Sequence, residues 1–335
     1  MSLLSSLRDS SGPGVAVELA ANQVSAASLD YRAGTPVLAA HATEPLPPGA
    51  LVPSLTTPNI QNRQAVVHAI GRVLEQTGRP RRIGLIVPDL VAKVSLVRFE
   101  QVPARASDLA QLVRWQVRKT APFPIEDAQV SFVPGITVAP GHDRHDVAAG
   151  SAGQEFIVAL ARRAIIEDYE AICAEAGVHA GLVDLATFNV INAVLASTTA
   201  AGAAAADWLL VNVAADDASI AILRGPHLIF FRNRAADTEG TLADLVHQAA
   251  MYYEDRLAGG GFARVFLKGG AGAGPHHAAD AEQVRRSLQE RLKTPIETVD
   301  PRAAAGLTDR ISAAPALLDT LAPLVGLLLR GRDVA

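Results

Sequence analysis

Two stretches of this chain decide its fold: Gly14–Asp30, which reads GVAVELAANQVSAASLD, and Trp208–Phe231, which reads WLLVNVAADDASIAILRGPHLIFF. Each begins with an apolar segment, continues through a short turn of small or polar residues, and ends in a segment of alternating apolar residues. This pattern predicts a β-hairpin. The chain is therefore predicted to build the same hairpin twice, once in each half.

The segments after each hairpin alternate between helix and strand patterns. In the first half, Asn62–Thr77 and Ala106–Thr120 are predicted helices, and Ile83–Pro88 is a short apolar strand. The second half continues with a predicted helix over Thr241–Leu257, and a linker rich in Ala and Gly at 200–206 separates the halves. Alternating strands and helices predict an α/β fold with a mixed sheet in each half.

The composition excludes several classes of protein. A length of 335 residues predicts two or more domains, and a net charge of -4 is not typical of nucleic-acid-binding proteins. No apolar run reaches the ~18 residues that a membrane-spanning helix needs, and the N-terminal residues lack the basic region of a signal peptide. The single cysteine, Cys173, excludes an intramolecular disulfide. We therefore expect a cytoplasmic protein.

Four further stretches carry a resemblance to a known family. They are Trp115–Phe132 (WQVRKTAPFPIEDAQVSF), Glu175–Leu195 (EAGVHAGLVDLATFNVINAVL), Gln248–Gly270 (QAAMYYEDRLAGGGFARVFLKGG) and Asp300–Arg330, which ends in VGLLLR. Their order and spacing over nearly the whole chain resemble the actin-like proteins of the FtsA/PilM group. The match is closest to the PilM family of type IV pilus assembly proteins.

The resemblance implies an actin-like (ribonuclease H-like) α/β fold of two lobes with an inserted small domain called 1C. Residues 1–88 and 165–200 would form domain 1A, and residues 89–164 would form domain 1C. Residues 207–335 would form domains 2A and 2B, with the last helix packing back onto domain 1A.

In ATPases of this fold, each hairpin holds nucleotide phosphates with an Asp at the strand end and a Gly after it, because bare backbone approaches phosphate and Mg²⁺ closely. In this chain Glu18 and Asn212 occupy the Asp positions, and Ala20 and Ala214 occupy the Gly positions. The longer Glu side chain displaces its carboxylate, and an uncharged amide is a poor Mg²⁺ ligand. The resemblance thus implies a degenerate nucleotide site with absent or vestigial catalysis; any cofactor would be ATP with Mg²⁺.

Three further residues belong to the implied nucleotide cleft. Asp184 matches the position that orients the attacking water in active relatives, so it is the candidate catalytic residue. Gly269 and Gly270 follow a predicted strand and match the family's adenosine-binding glycines. A structural alternative remains, in which Glu18, Asn212 and Asp184 only cap strands and helices and the two glycines form an ordinary turn.

The resemblance also implies a partner. PilM-like proteins bind the short cytoplasmic N-terminal tail of the inner-membrane protein PilN in a groove between 1A and 1C. Trp115 and Phe123, beside the Pro-Phe-Pro turn, are the candidate groove residues, since exposed aromatic side chains suit an apolar tail; both could instead be core residues of 1C. We expect a PilN-like tail and other pilus assembly proteins as partners, no nucleic acid, and a cytoplasmic location peripheral to the inner membrane through the partner.

The favoured hypothesis is an actin-like scaffold of type IV pilus, or related secretion, assembly. One alternative is an active Mg-ATP-binding actin-like ATPase or cytomotive protein that uses Glu18 and Asp184. Another is a GspL-like cytoplasmic domain of type II secretion, which is disfavoured because GspL-like chains continue into a transmembrane helix and this sequence does not.

Overall fold

The computed structural model of the chain describes residues 12–138, 153–199, 206–236, 241–269, 275–308 and 314–330. These residues form fourteen strands, seven α-helices and three short 3-10 helices. The strands are β1 (Val15–Ala20), β2 (Gln23–Arg32), β3 (Thr35–Pro45), β4 (Arg82–Val87), β5 (Ala92–Phe99), β6 (Ala128–Val138), β7 (Gly153–Arg162), β8 (His179–Leu185), β9 (Asp207–Val213), β10 (Asp217–Arg224), β11 (His227–Ala235), β12 (Arg264–Lys268), β13 (Ile296–Thr298) and β14 (Gly306–Leu307). The helices are α1 (Arg63–Thr77), α2 (Ala106–Arg118), α3 (Arg163–Glu175), α4 (Ala186–Thr199), α5 (Leu242–Arg256), α6 (Pro275–Leu292) and α7 (Pro315–Leu329).

The first lobe is built on a six-stranded sheet in the order β14-β3-β2-β1-β4-β8. The predicted hairpin is formed by β1 and β2, which pair antiparallel along the whole of β1. Strand β3 continues the antiparallel part, whereas β4 is parallel to β1 and β8 is parallel to β4. Strands β1 and β4 are buried along nearly their whole length, as expected for central strands of a sheet covered on both faces.

The second lobe is built on a five-stranded sheet in the order β11-β10-β9-β12-β13. Strands β9, β10 and β11 form an antiparallel meander, while β12 is parallel to β9 and β13 is parallel to β12. The order β11-β10-β9-β12-β13 repeats the order β3-β2-β1-β4-β8 of the first sheet, which has β14 as an additional edge strand. The predicted α/β class and the duplicated hairpin are confirmed.

Side-chain caps explain where two of the long helices begin. The Asn62 side chain accepts a hydrogen bond from the Ala65 backbone N (3.1 Å) at the start of α1, and α1 ends at Gly78, whose φ is 105°. At the start of α5, Thr241 and Asp244 form a reciprocal capping box. The sequence predicts both helices to within a residue or two of these bounds.

A separate three-stranded antiparallel sheet, in the order β5-β7-β6, follows β4 in the chain and precedes α3. Helix α2 packs on it, and the shared core contains Val97, Val113, Val117, Phe156 and Val158. We call β5, α2, β6 and β7 the small sheet unit. It falls within the segment that the resemblance assigns to domain 1C, and the domain boundaries themselves stay predictions.

Helix α7 is apolar nearly all round and is buried from Leu321 to Leu328, as the sequence predicts for a core helix. It packs on one side against α4 and on the other against β1, β2 and β4, where its leucines share a core with Ala16, Ala27 and Ile86. Within the described residues, no helix combines the length and the apolar character needed to cross a bilayer.

Candidate functional site

The tips of the two hairpins face each other at the boundary between the lobes and enclose a small cavity. Its wall includes Glu18 and Ala20 from β1, Asn212 from β9, Asp217 from β10 and Lys268 from the end of β12. Glu18 and Asn212, which the sequence places in one nucleotide cleft, therefore lie in the same cavity wall.

This cavity is small, with a volume of about 30 Å³. A cavity of that size holds about one or two water molecules, whereas small-molecule sites in proteins occupy roughly 300–1,000 Å³. A second cavity of about 580 Å³ adjoins it and shares Ala21, Pro53, Ala215 and Asp216 with it, so the lobes are in close contact only at the level of Glu18 and Asn212. The side chains that fill the space decide what this cleft can do.

Asp89 is the central polar residue of the cleft, and the sequence alone does not single it out. It follows β4 after Pro88 and is 2% exposed. Its carboxyl group accepts hydrogen bonds from the Thr187 backbone N (3.1 Å), from the Thr187 hydroxyl, and from the Ser219 hydroxyl (2.7 Å). A signal for it does exist in the sequence: an acidic residue at the carboxyl end of a buried parallel strand, next to the first hairpin, is in the usual position of a site residue in α/β folds.

Asn212 takes part in the same network from the second lobe. Its side-chain nitrogen donates to the Thr187 hydroxyl oxygen (2.8 Å), and its buried Oδ1 has no hydrogen-bond partner among the described residues. Ala214, at the other implied phosphate position, also lines the cavity. The amide nitrogen is therefore committed to the Thr187 hydroxyl group, whereas the amide oxygen, the atom that could ligate a metal ion, is left without a partner among the described residues.

Several titratable groups are buried close together in the cleft. Burial raises the pKa of Glu18, and the nearby Asp89 adds to this rise while Lys268 opposes it. Burial also raises the pKa of Asp217 to about 8, with Asp89 acting in the same direction and Lys268 against it. Four carboxyl groups, those of Glu18, Asp89, Asp217 and the less buried Asp216, therefore line this cavity with one ammonium group, and Lys268 is itself only 9% exposed.

Only glycine can occupy the backbone position of Gly269 without strain. Its φ is 95°, a conformation that favours glycine, and an added Cβ atom would overlap the Val213 carbonyl oxygen at the end of β9. The close approach of β12 to β9 therefore explains this glycine without a ligand, and its adenosine role stays a prediction. Gly270, the second predicted glycine, lies outside the described residues.

Asp184 does not line the cavity. It lies near the end of β8, where its carboxyl group accepts a hydrogen bond from the Leu185 backbone N (2.9 Å) and forms an ion pair with Arg330 at the end of α7. Burial raises the pKa of Asp184, and Arg330 opposes this rise. In this arrangement the carboxylate joins β8 to α7; the catalytic role inferred from resemblance stays a prediction.

The ion pair between Asp184 and Arg330 can be tested by a double-mutant cycle. We expect Arg330→Gln to lower the free energy of unfolding by about 1 kcal/mol, because it leaves the largely buried Asp184 carboxylate without its cation, whereas Asp184→Asn removes that buried charge and should cost less. The double variant should lose less than the sum of the two, with a coupling of about 0.5 kcal/mol or more, measured by urea unfolding. Strictly additive losses would contradict a structural role for this pair.

The two predicted groove residues are placed differently on the small sheet unit. Trp115 lies on the outer face of α2 and is 57% exposed, with the Lys119 ammonium group 4.7 Å from its ring centroid. Phe123 is half-buried and packs against the core of the unit. Trp115 is thus available to a partner, whereas Phe123 contributes mainly to the unit's own packing.

Comparison with known proteins identifies the family. A family model described as "Type IV pilus assembly protein PilM" matches residues 16–255, which is well over half of the chain. The chain belongs to the PilM family. Both the family and the actin-like α/β fold expected from the resemblance are confirmed.

One solved structure shares the fold of this chain, and two others are similar at lower TM-scores. A chain of a PilM-PilN type IV pilus biogenesis complex superposes with a TM-score of 0.74 at 18% identity, covering 95% of this chain and 96% of that chain. A protein of actin-like ATPase fold and unknown function from Bacteroides thetaiotaomicron gives 0.46 at 9% identity, covering 95% and 98%. The cytoplasmic domain of EpsL, an inner-membrane component of the type II secretion system of Vibrio cholerae, gives 0.42 at 10% identity, covering 76% and 80%.

The residues at the hairpin tips do not fit the phosphates and Mg²⁺ of a nucleotide, the group that an actin-like ATPase fold implies. The cavity between Glu18 and Asn212 is about 30 Å³, and the two implied phosphate positions carry the alanines Ala20 and Ala214. Within the described ranges, no group of three or more His, Cys, Asp or Glu side chains is arranged to hold a metal ion. We therefore derive no catalytic step for this cleft.

Proposed function

We propose that this PilM-family chain is an actin-like scaffold of type IV pilus assembly that binds the cytoplasmic tail of a PilN-like inner-membrane protein. The observation that carries the proposal is the match of the PilM family model to residues 16–255. It is supported by the shared fold over 95% of the chain with a structure described as a PilM-PilN complex. Through this partner the protein would be held at the cytoplasmic face of the inner membrane, where other pilus assembly proteins could join it.

The tail is proposed to bind beside the small sheet unit, in the groove between that unit and the first lobe. Large, rigid aromatic side chains are frequent anchors of protein interfaces, because they bury much apolar surface at little entropic cost. Trp115 is the most exposed of the large apolar side chains described in this unit. Trp115 would anchor the tail, and Phe123, the central residue of the Pro-Phe-Pro turn, would hold that turn in place through its packing on the unit's core.

We expect Trp115→Ala to weaken binding of a synthetic PilN-like tail peptide by about tenfold or more, because truncating an aromatic anchor removes most of its contact area. Fluorescence anisotropy of the labelled peptide with the full chain measures this. Since Trp115 is exposed, the thermal midpoint should change little. Met251→Ala, which removes an apolar side chain of 43% exposure from α5, is the matched control and should bind as the wild type does. Equal affinities of all three proteins would contradict the proposed anchor.

The Mg-ATP-dependent ATPase is the second candidate, and one observation favours it: Glu18, Asp89 and Asp217 gather at the hairpin tips, where an ATPase would place its metal-binding carboxylates. The alanines at the two implied phosphate positions, the small volume of the cavity between Glu18 and Asn212, and the position of Asp184 outside it argue for the scaffold instead. The thermal midpoint in millimolar MgATP, with and without EDTA, separates the two; a rise that EDTA abolishes would favour the ATPase.

A further inference from the structure

We propose that Asp89 and Lys268 replace the phosphate and the metal ion of a nucleotide as the link between the two lobes. This link lies in the cleft and is independent of the partner proposed above. It consists of the hydrogen bonds of Asp89, the charge of Lys268 and three hydrogen bonds that cross between the lobes.

The Asp89 carboxyl group occupies the position at which a helix N-terminus binds an anion. The first N–H groups of a helix lack partners within it, and together with the helix dipole they attract anions such as phosphate. At the start of α4, the Asp89 carboxyl group accepts from the Thr187 backbone N (3.1 Å) and from the Thr187 hydroxyl. The Ser219 hydroxyl of the second lobe donates to the same carboxyl group (2.7 Å). A side chain of this chain thus satisfies donors of the kind that bind phosphate oxygens.

The Lys268 ammonium group replaces the metal ion as the positive charge of the cleft. Lys268 ends β12 directly beside Asn212 in the pairing of β12 with β9, and it lines the same cavity as Glu18, Asp89 and Asp217. Several carboxyl groups buried together are unfavourable unless a positive charge lies among them. The Lys268 ammonium group supplies that charge from the chain itself.

Three hydrogen bonds of this network cross from one lobe to the other. Ser219 donates to the Asp89 carboxyl group, Asn212 donates to the Thr187 hydroxyl (2.8 Å), and the Asn233 side chain donates to the Asp89 backbone O (3.0 Å). Asp89 and Thr187 belong to the first lobe, and the three donors belong to the second. At the level of Asp89 the two lobes are therefore joined directly by side chains of the protein itself.

Hydrogen–deuterium exchange of the full chain tests the role of Asp89. We expect Asp89→Ala to speed amide exchange about tenfold or more in the first turn of α4 and in β10, because the lobes separate there more often. Asp207→Asn is the matched control: Asp207 bonds Arg224 (2.9 Å) and Tyr253 (2.7 Å) within the second lobe, so its loss should lower the thermal midpoint without exposing the cleft. If Asp89→Ala does not fold, Asp89→Asn serves the same comparison. Exchange at the cleft that rises no more than in the control would overturn the proposal.

Thermal shifts with Mg²⁺ test the role of Lys268. The wild type should keep the same midpoint in millimolar MgCl₂ and in millimolar MgATP, because its cation and its anion are already present. Lys268→Met should melt several degrees lower, and millimolar Mg²⁺ alone should restore part of that loss. A lack of restoration would overturn the assignment of Lys268 as the internal cation, and a wild-type midpoint raised by MgATP and lowered again by EDTA would overturn the proposal as a whole.

Discussion

Replacing Gly326 with alanine is expected to lower the free energy of unfolding by about 2 kcal/mol, although alanine is the better helix former. In a helix interior, alanine normally stabilises by about 1 kcal/mol over glycine. At Gly326, however, α7 crosses α4 so closely that an added Cβ atom would overlap the Asn189 carbonyl oxygen. A backbone atom cannot rotate away as a flexible side chain can, so the two helices must move apart. Overpacking costs about 1–3 kcal/mol and sometimes more, and we expect it here to exceed the gain in helix propensity.

Gly71 provides the control for this prediction. It lies inside α1, and an added Cβ atom there would meet no heavy atom within 4 Å. Gly71→Ala should therefore stabilise the protein by about 0.5–1 kcal/mol through helix propensity alone. Urea unfolding of both variants measures the two changes under the same conditions. Stabilisation by both substitutions would show that α4 and α7 are not in backbone contact at Gly326.

The parts of the fold that the sequence predicts are those with a local pattern. The hairpins of both lobes are visible because apolar residues alternate on each side of a short polar turn. Helix α1 is visible because Asn62 and Gly78 mark its ends, and α7 because its apolar residues cover every face. In each of these cases the signal lies within a single continuous stretch of the chain, so the sequence alone suffices.

The candidate site is less visible because its contacts join distant parts of the chain. Asp89 bonds Thr187 and Ser219, which follow it by 98 and 130 positions, and a Pro-Asp pair after a strand looks locally like a simple turn. In the sequence Lys268 likewise looks like an ordinary strand residue. Only the pairing of β12 with β9 in the folded protein brings it beside Asn212. The resemblance locates the cleft through Glu18 and Asn212, but it cannot show which side chains of this chain fill it.

Asp217→Asn is expected to stabilise the protein at alkaline pH and to have little effect near pH 4. The ordinary pKa of this side chain is 3.8, and in the folded protein burial raises it to about 8, with further contributions from Asp89. Between these two values the folded state holds a proton that the unfolded state has released. Stability therefore falls as the pH rises through this interval, because ionising the buried carboxyl group favours the unfolded state.

An asparagine at this position has no proton to lose and keeps nearly the same shape, so this part of the pH dependence should vanish. Each pKa unit corresponds to about 1.4 kcal/mol, and we expect Asp217→Asn to be more stable than the wild type at pH 8 by about 2 kcal/mol or more. Chemical unfolding at a series of pH values from 4 to 9 measures the effect. Asp216→Asn removes the same charge from the neighbouring, less buried position and should recover only a small part of it. Because Glu18 is also buried with a raised pKa, some decline with pH should remain in both variants. Curves for Asp217→Asn and the wild type that stay parallel up to pH 9 would mean that the Asp217 carboxyl group ionises without cost, and hence that water reaches the cleft freely.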